Sequence, residues 1–181
     1  MRCDLVCQSD AMVRYADGPT AEVSTDIAAS PAEVFALVTD INLPARFSEE
    51  FQRAEWNDGA TEPSLGATFQ GTNKHPAVGE WTVTCTVTAF EPGSVFEWTV
   101  AGPDAAAARW RFTVEPAADD DGSTLRFDAR MGPGKSGLTP AIERMPDREE
   151  EIVDGRLAEW RGNMQRTVDG IKGLAESQSA E

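Results

Sequence analysis

Histidine and cysteine, which supply most metal ligands and many catalytic side chains, are scarce in this sequence. It contains one histidine, His75, and three cysteines, Cys3, Cys7 and Cys85. His75 precedes Pro76 in a predicted turn, which indicates an exposed hairpin tip, and the cysteine spacing matches neither a zinc site nor an even disulfide framework. A glycine-rich phosphate-binding loop and an HExxH motif are also absent. We therefore expect no metal ion and no cofactor.

Basic residues and long apolar stretches are scarce as well. Lysine and arginine number 16 against 31 aspartates and glutamates, which gives a formal net charge of −15. Such a chain repels nucleic-acid phosphates, so we expect no nucleic-acid partner. No apolar stretch approaches the roughly 20 residues of a membrane-spanning helix, and the first residues lack the apolar stretch of a signal peptide. The sequence predicts a cytoplasmic protein with no membrane span.

Length and apolar content predict one folded domain. The chain has 181 residues, of which 40% are apolar, enough for a single sizeable core. We expect a disordered leader at residues 1–18, one domain at residues 19–176 and a short tail at residues 177–181. Cys3 and Cys7 fall in this leader and are interpreted as unpaired thiols; a disulfide or a metal site formed by the two is the alternative.

The N-terminal part of the domain predicts a strand followed by two short helices. Residues 20–29 alternate between apolar and polar side chains, as a strand does. Ser30 is a favourable N-cap, Pro31 suits the first helical position, and Glu33 can reach back to the cap amide. This helix is predicted to end at Asp40, and residues 43–48 are predicted to form the second one.

The middle of the chain predicts an antiparallel meander. Between Phe51 and Met131 the apolar pattern has a period of two, and glycine, proline and aspartate clusters separate the segments. Asp128 and Arg130 fall at solvent-facing positions. Consecutive strands with short turns and one apolar face cover a core on one side only. The predicted inward residues are Trp81, Val83, Cys85, Val87, Ala89, Phe96, Trp98, Val100, Trp110, Phe112, Val114, Leu125, Phe127, Ala129 and Met131.

A long amphipathic helix is predicted at the C-terminal end. Asp147 is a plausible N-cap with Glu150 three residues later. Apolar residues then recur every three or four positions over roughly 25 residues, which makes one continuous stripe. This stripe must pack on the apolar face of the sheet. Its members are Val153, Leu157, Trp160, Met164, Val168, Ile171 and Leu174.

The order of these elements and several short motifs resemble the START-like superfamily, also called SRPBCC proteins, which includes polyketide cyclases and lipid carriers. The resemblance covers about residues 20–175. It implies an α+β helix-grip fold: a seven-stranded curved antiparallel sheet around a long C-terminal helix, with two short helices after the first strand. The motifs that carry it are residues 29–35, 55–59 and 65–69, the threonine-rich strand around Trp81, and residues 160–171.

The resemblance also implies a ligand cavity between the concave face of the sheet and the long helix. Aromatic walls suit a flat apolar ligand. A filled core is the alternative, because a pocket wall and a core have the same sequence pattern. The predicted ligand-binding residues are Phe69, Trp81, Val83, Cys85, Phe96, Trp98, Trp110, Phe112, Phe127, Met131, Leu157, Trp160 and Met164.

Catalytic candidates are few. On the second strand, Phe51, Arg53 and Glu55 share one face, and Ala54 and Trp56 share the other. If Glu55 faces inward, desolvation raises its pKa and allows it to act as a general base. An ion pair on the outer face is the alternative.

Three functions therefore follow in order of preference. The first is binding of a small hydrophobic ligand, such as a polyketide, a lipid or an aromatic molecule. The second is a cofactor-independent cyclase, aromatase or dehydratase, which requires at least two titratable groups on one pocket. The third is a protein-interaction or structural domain with a filled core and an exposed apolar patch. Ligand identity is not predicted.

Two surface features carry further expectations. Residues 132–146, rich in glycine and proline, are predicted to form a lid over the cavity. Gly155, Ala158 and Gly162 form a strip of small residues on the outer side of the long helix, as does Gly173 further along. A second chain would pack closely on this strip, so we expect a monomer or a weak homodimer.

Overall fold

A seven-stranded antiparallel sheet and one long helix account for most of the residues that the computed structural model describes, which are 13–118 and 122–179. The predicted α+β helix-grip fold is confirmed. Cys3 and Cys7 lie outside the described residues. The strands are β1 (Thr20–Ile27), β2 (Phe51–Trp56), β3 (Thr68–His75), β4 (Gly79–Glu91), β5 (Val95–Val100), β6 (Ala108–Pro116) and β7 (Ser123–Met131). The helices are α1 (Pro31–Val38), α2 (Thr139–Arg144) and α3 (Glu149–Ser179), with 3-10 helices at Tyr15–Asp17, Leu43–Arg46 and Pro146–Arg148.

Strands β2 to β7 form a meander, and β1 is added at its β7 edge. Its strand order is β1-β7-β6-β5-β4-β3-β2, so strands β2 to β7 follow one another in space and β1 pairs with β7. All six pairings are antiparallel. Consecutive antiparallel strands can be joined by hairpin turns, as at residues 76–78 and 92–94, and the glycine, proline and aspartate clusters of the sequence fall in the connections between strands.

Helix α1 begins where its capping sequence predicts. The Ser30 backbone N–H donates to the Glu33 carboxylate at 2.9 Å, and the Glu33 backbone N–H donates to Ser30 Oγ at 3.4 Å. Pro31 occupies the first turn, where its missing N–H costs no hydrogen bond. The second predicted helix is shorter than expected, because only Leu43–Arg46 forms a 3-10 turn.

A β-bulge in β2 changes which side chains face inward. The register shifts between Phe51 and Arg53, so two residues of β2 occupy the space of one on β3. Phe51 therefore faces the interior together with Ala54 and Trp56, instead of sharing a face with Arg53 and Glu55. The simple alternation predicted for this strand is wrong at its first residue.

A second bulge lies in β4. The register shifts between Val87 and Ala89, and beyond the shift Phe90 stands opposite Phe96. The Phe90 ring also contacts Phe35 of α1, at 6.0 Å between ring centroids. Phe90, rather than Ala89, thus continues the inner face, which corrects the predicted alternation at the end of this strand.

Helix α3 packs across the inner face of the sheet along the predicted stripe. Six of the seven stripe residues are buried, and Leu174 is half-buried. Gly170 lets the helix approach the loop after α1, because a Cβ at this position would lie 2.4 Å from the ring of Phe47. The predicted cap at Asp147 is not found: Pro146–Arg148 is a separate 3-10 turn, and α3 begins at Glu149. None of the described helices combines the length and the hydropathy that a membrane span requires.

Candidate ligand-binding cavity

A cavity of about 130 Å³ lies between α3 and the inner face of strands β2 to β7. Its wall is mainly aromatic and aliphatic, and its polar lining comes from α3, β3 and the segment between α1 and β2. This volume is of the order of the apolar cavity that holds benzene in other proteins. The lining residues are Val38, Asp40, Ile41, Pro44, Ser48, Glu50, Phe51, Phe69, Gly71, Asn73, Val83, Cys85, Phe96, Trp98, Val100, Trp110, Phe112, Phe127, Trp160, Asn163, Met164 and Thr167.

The aromatic side chains of the wall contact one another in a continuous cluster. Trp160 on α3 meets Trp110 on β6 with 4.7 Å between ring centroids. Phe112 and Phe127 are stacked at 4.0 Å, and Trp98 contacts both of them. Each ring restricts the rotamers of its neighbours, which disfavours collapse of the wall into the cavity.

Ten of the thirteen predicted ligand-binding residues line this cavity, and three do not. Trp81 lies further along β4, opposite Asn73, and is half-buried. Met131 and Leu157 are 1% and 4% exposed and belong to the surrounding core. All three lie on the inward side that the sequence pattern indicated, but the cavity does not extend to them. The ten that line it are Phe69, Val83, Cys85, Phe96, Trp98, Trp110, Phe112, Phe127, Trp160 and Met164.

Ion pairs on the outer face of β5, β6 and β7 agree with the inward direction of the aromatic side chains on these strands. The Arg109 guanidinium lies 3.4 Å from the Glu97 carboxylate and 2.5 Å from that of Asp128, and Arg111 also reaches Glu97 at 3.4 Å. Burial raises the pKa of Asp128, and the positive charges of Arg109 and Arg111 oppose this rise. Because these residues alternate with Trp98, Trp110 and Phe127, the charged positions face outward and the aromatic ones inward.

The glycine at position 71 makes room for the Phe51 ring in the cavity wall. A Cβ at this position would lie 3.2 Å from the Phe51 ring, closer than an ordinary side-chain contact. The bulge in β2 therefore turns Phe51 inward, and the missing side chain of Gly71 accommodates it. Neither residue was predicted at the site.

A partly buried ion pair lies beside the cavity. Arg156 makes two hydrogen bonds to the Glu50 carboxylate, at 2.6 and 2.5 Å, and a third to Glu159 at 2.9 Å. Burial by itself lowers the pKa of Arg156, but the hydrogen bonds and charges of Glu50 and Glu159 outweigh it and raise that pKa. The Arg156 guanidinium also lies 5.7 Å from the centre of the Trp160 ring. Glu50 lines the cavity, and its carboxylate already accepts two hydrogen bonds from Arg156.

Asn163 is a polar residue of α3 that lines the cavity, and its side-chain oxygen is fully engaged. Its oxygen accepts hydrogen bonds from Ser48 Oγ at 3.3 Å, from the Glu49 backbone N–H at 3.0 Å and from Arg166 at 2.8 Å. Its amide nitrogen donates to the Glu159 carbonyl at 3.2 Å. Asn163 thus fastens the segment before β2 to α3 and holds that rim of the cavity in place.

A polar surface groove adjoins the cavity at Glu50 and Asn163, which line both. On its far side is the turn between β3 and β4, where His75 Nε2 lies 3.4 Å from the Glu159 carboxylate. His75 was predicted as an exposed turn residue; its side chain is 27% exposed, and it lies in the groove rather than in the cavity.

Glu55, the candidate catalytic residue, does not lie at the cavity. It is exposed on the outer face of β2, opposite Gln70. Asp40 and Glu50 are the carboxylates that line the cavity, and both come from the segment between α1 and β2. The sequence contained no signal for them, because their positions depend on how that irregular segment folds against α3.

The loop predicted as a lid lies away from the cavity. None of residues 132–146 is among the lining residues. Gly134 instead donates its backbone N–H to the Ala106 carbonyl at 2.7 Å, and Tyr15 Oη donates to the Gly134 carbonyl at 2.7 Å. A Cβ on Gly134 would lie 1.8 Å from the Ala105 carbonyl oxygen, so only glycine fits this approach. These contacts fasten the loop to the end of the sheet.

The cysteine in the cavity wall is held in its neutral form. Cys85 is 3% exposed, and burial raises the pKa of its thiol to about 12. A thiol with so high a pKa is a poor nucleophile at neutral pH. Within residues 13–118 and 122–179, no group of three or more histidine, cysteine, aspartate or glutamate side chains is arranged to hold a metal ion.

Residues 19–176 match the family model for polyketide cyclase / dehydrase and lipid transport proteins. The chain belongs to this family. The match spans every strand and all but the last turn of α3. No protein of curated function matches the chain in sequence.

Solved structures resemble this family member over most of its length. The solution structure of the polyketide-cyclase-like protein Cgl2372 from Corynebacterium glutamicum is 29% identical, covers 88% of this chain and 92% of its own, and has a TM-score of 0.60. The crystal structure of Ara h 8.0201 is 18% identical, with 88% and 98% covered and a TM-score of 0.56. The di-domain ARO/CYC StfQ from the steffimycin biosynthetic pathway is 12% identical, with 90% and 52% covered and a TM-score of 0.65. The last two similarities concern the fold alone.

Proposed function

We propose that this protein binds a small, largely apolar ligand in the cavity between α3 and the sheet. This proposal rests on the cavity of about 130 Å³ that Trp98, Trp110 and Trp160 line, with the rings of Trp110 and Trp160 in contact with each other. Contact between a flat ligand and these rings removes apolar surface from water on both partners. Family membership supports the proposal, since the family includes lipid transport proteins.

The volume of the cavity limits the size of the ligand. About 130 Å³ accommodates one aromatic ring with small substituents, or two rings if side chains adjust. A long acyl chain or a four-ring polyketide requires a larger rearrangement of the wall. The proposed ligand is therefore a compact aromatic molecule or one ring of a larger molecule whose remainder extends into the groove at Glu50 and Asn163.

A fluorescence titration tests the proposal. The probe 1-aminonaphthalene, which brightens in apolar surroundings, should bind the wild-type protein saturably at one site. Trp110→Ala removes one wall of the cavity and should weaken binding about tenfold, since an aromatic contact contributes roughly 1–2 kcal/mol. Trp81→Ala is the matched control, because Trp81 lies on the same sheet outside the cavity. Equal effects of both variants, or no saturable binding, would contradict the proposal.

A cyclase-like or dehydratase-like enzyme is the second candidate. Two carboxylates, Asp40 and Glu50, line the cavity, which meets the requirement for paired titratable groups. Glu50 is committed to Arg156, and Asp40 is exposed and accepts a hydrogen bond from the Asn42 backbone N–H at 2.9 Å. Asp40 is thus the only one of the two available as a base without breaking an ion pair.

Incubation with a short linear poly-β-ketone, followed by mass spectrometry and NMR, tests this second candidate. An enzyme should accelerate ring closure or water loss, and Asp40→Asn should abolish the acceleration. Asp58→Asn is the control, since Asp58 is an exposed turn residue that does not line the cavity. Unchanged product formation in Asp40→Asn would remove the enzyme candidate and leave the binding proposal standing.

A filled-core interaction domain finds little support in the described residues. The cavity itself stands against a filled core. The exposed large apolar side chains, Leu65, Val78 and Met145, come from three separate connections rather than from one element. Single exposed apolar residues of this kind are normal on a protein surface.

A further inference from the structure

The cavity and the polar groove beside it share two residues. Glu50 and Asn163 line both spaces, and every other lining residue belongs to only one of them. Glu50 comes from the segment before β2, and Asn163 comes from α3. The boundary between the two spaces therefore lies where this segment meets the helix.

Helix α3 does not lie equally close to all parts of the sheet. Its backbone packs closely on β1 and stands further from β2, β3 and β4. The cavity occupies this wider side, where Phe51, Phe69 and Val83 form part of its wall. Separation of α3 from the segment before β2 therefore disturbs less apolar packing than separation of α3 from β1.

Polar contacts join α3 to the segment before β2. Two nitrogens of Arg156 donate to the two oxygens of Glu50, at 2.6 and 2.5 Å, and these side chains are only 17% and 14% exposed. A second ion pair, between Arg166 and Glu49, is longer at 3.4 Å and much more exposed. Exposed ion pairs contribute little, whereas a two-point guanidinium–carboxylate contact shielded from water contributes more. The Glu50–Arg156 pair is therefore the main ion pair across this boundary.

This ion pair can separate without leaving a buried charge alone. Arg156 also donates to the Glu159 carboxylate at 2.9 Å, a contact that does not depend on Glu50. The Glu50 carboxylate borders the groove, where water can solvate it. The heavy cost of an uncompensated buried charge does not arise when each partner keeps another polar contact.

We propose that the Glu50–Arg156 ion pair is a gate between the groove and the cavity. When the pair separates, the segment at residues 48–50 moves away from α3, and a ligand passes from the groove into the cavity. Passage of a ligand rests on the proposed binding function. Opening of the gate is a property of the protein alone and is measured without a ligand.

Chemical labelling of Cys85 measures the opening of the gate. Cys85 lines the cavity and is buried, so a water-soluble thiol reagent reaches it only when the cavity opens. With Cys3→Ser and Cys7→Ser in the background, Cys85 is the single thiol of the chain. Its reaction with methyl methanethiosulfonate is followed by mass spectrometry. Arg156→Met should accelerate the labelling about tenfold, and Arg156→Lys, which keeps the charge but not the two-point contact, should accelerate it less.

Glu97→Gln is the matched control for the loss of an ion pair. The Glu97 side chain is 12% exposed and pairs with Arg109 and Arg111, but it lies on the outer face of the sheet and does not line the cavity. This variant should leave the labelling rate of Cys85 at the wild-type value. Equal acceleration by Glu97→Gln and Arg156→Met, or no acceleration by Arg156→Met, overturns the gate.

Low concentrations of urea distinguish opening of the gate from unfolding. Opening exposes little surface, so labelling through the gate should hardly change up to about 1 M urea, whereas labelling through global unfolding rises steeply. If labelling of Arg156→Met rises with urea as steeply as its unfolding equilibrium does, the substitution acts through overall stability and the gate is refuted.

Stopped-flow mixing with 1-aminonaphthalene tests the passage of a ligand. A gate sets the rate of entry and exit alike, so Arg156→Met should raise the association and dissociation rate constants by similar factors, each about tenfold. A change in the dissociation rate constant alone would contradict the gate, because Arg156 would then act on the bound ligand. If the wild type does not bind 1-aminonaphthalene saturably, the binding proposal fails, and faster labelling of Cys85 in Arg156→Met still supports the gate.

Discussion

The two faces of strands β5, β6 and β7 are chemically opposite although they share one backbone. On the inner face, Trp98, Phe112 and Phe127 form an aromatic wall around a cavity. On the outer face, charged side chains such as Glu97 and Arg111 pair across neighbouring strands. The inner face thus excludes charge and retains empty space, whereas the outer face neutralises its charges locally. The comparison indicates that the aromatic face contributes most to stability and lines the proposed binding site.

The largest expected difference between the faces is in stability. Phe112 is 1% exposed and stacked on Phe127, so Phe112→Ala should lower the free energy of unfolding by about 3–5 kcal/mol. Its sequence neighbour Arg111 forms a partly exposed ion pair, so Arg111→Ala should cost about 1 kcal/mol or less. Urea unfolding followed by circular dichroism measures both. Similar losses from the two variants would contradict the division of roles between the faces.

The two sides of α3 sharpen the same comparison. A methyl group at position 170 would collide with the Phe47 ring, so Gly170→Ala should destabilise the protein by about 1–3 kcal/mol. Gly173 has no atom within 4 Å of an added Cβ, so Gly173→Ala should stabilise by about 0.4–1 kcal/mol. Thermal melts of the two variants should therefore shift in opposite directions. Two upward shifts would show that the Phe47 contact is loose.

The exclusion of charge from the inner face predicts a pH dependence. Because the folded-state pKa of Cys85 is raised to about 12, the folded protein keeps its proton where the unfolded chain loses it, and stability falls as pH rises above about 8.5–9. By pH 10 this loss should reach roughly 1–2 kcal/mol. Cys85→Ala should remove it, so the stability difference between wild type and variant should change with pH only in this range. Parallel pH profiles would mean that the thiol ionises freely in the cavity.

The smallest expected effect concerns the strip on the outer side of α3. Gly155 has open space around an added Cβ, and for Gly162 the nearest atom is Arg166 Nη1 at 3.8 Å. Alanine at either position should raise stability by about 0.4–1 kcal/mol, since it only restricts the unfolded chain. Sedimentation at high micromolar concentration should then give the same mass for both variants and the wild type. A loss of dimer in Gly155→Leu would instead identify the strip as an interface.

The sequence predicted which side chains of a regular strand face inward, but it did not predict where the bulges lie. Alternation placed Trp98, Trp110 and Phe127 inward correctly, because burial of one face of a sheet imposes a period of two. Phe51 and Phe90 do not follow this rule. Phe51 precedes a bulge in β2 and Phe90 follows a bulge in β4, and each bulge shifts the inward-outward alternation by one residue. A bulge depends on the partner strand, and a single sequence contains little of that information.

The sequence by itself determined the seven strands, helices α1 and α3, and their order. The capping residues Ser30 and Glu33, the turn clusters and the apolar stripe of α3 are local signals, and local hydrogen bonding and periodicity express them directly. Only the tertiary structure decided that the core retains a cavity, that Asp40 and Glu50 reach its wall, and that no described residue accepts a hydrogen bond from the Trp160 N–H. These properties depend on distances between residues far apart in the chain, and such distances arise only when the helix and the sheet pack together.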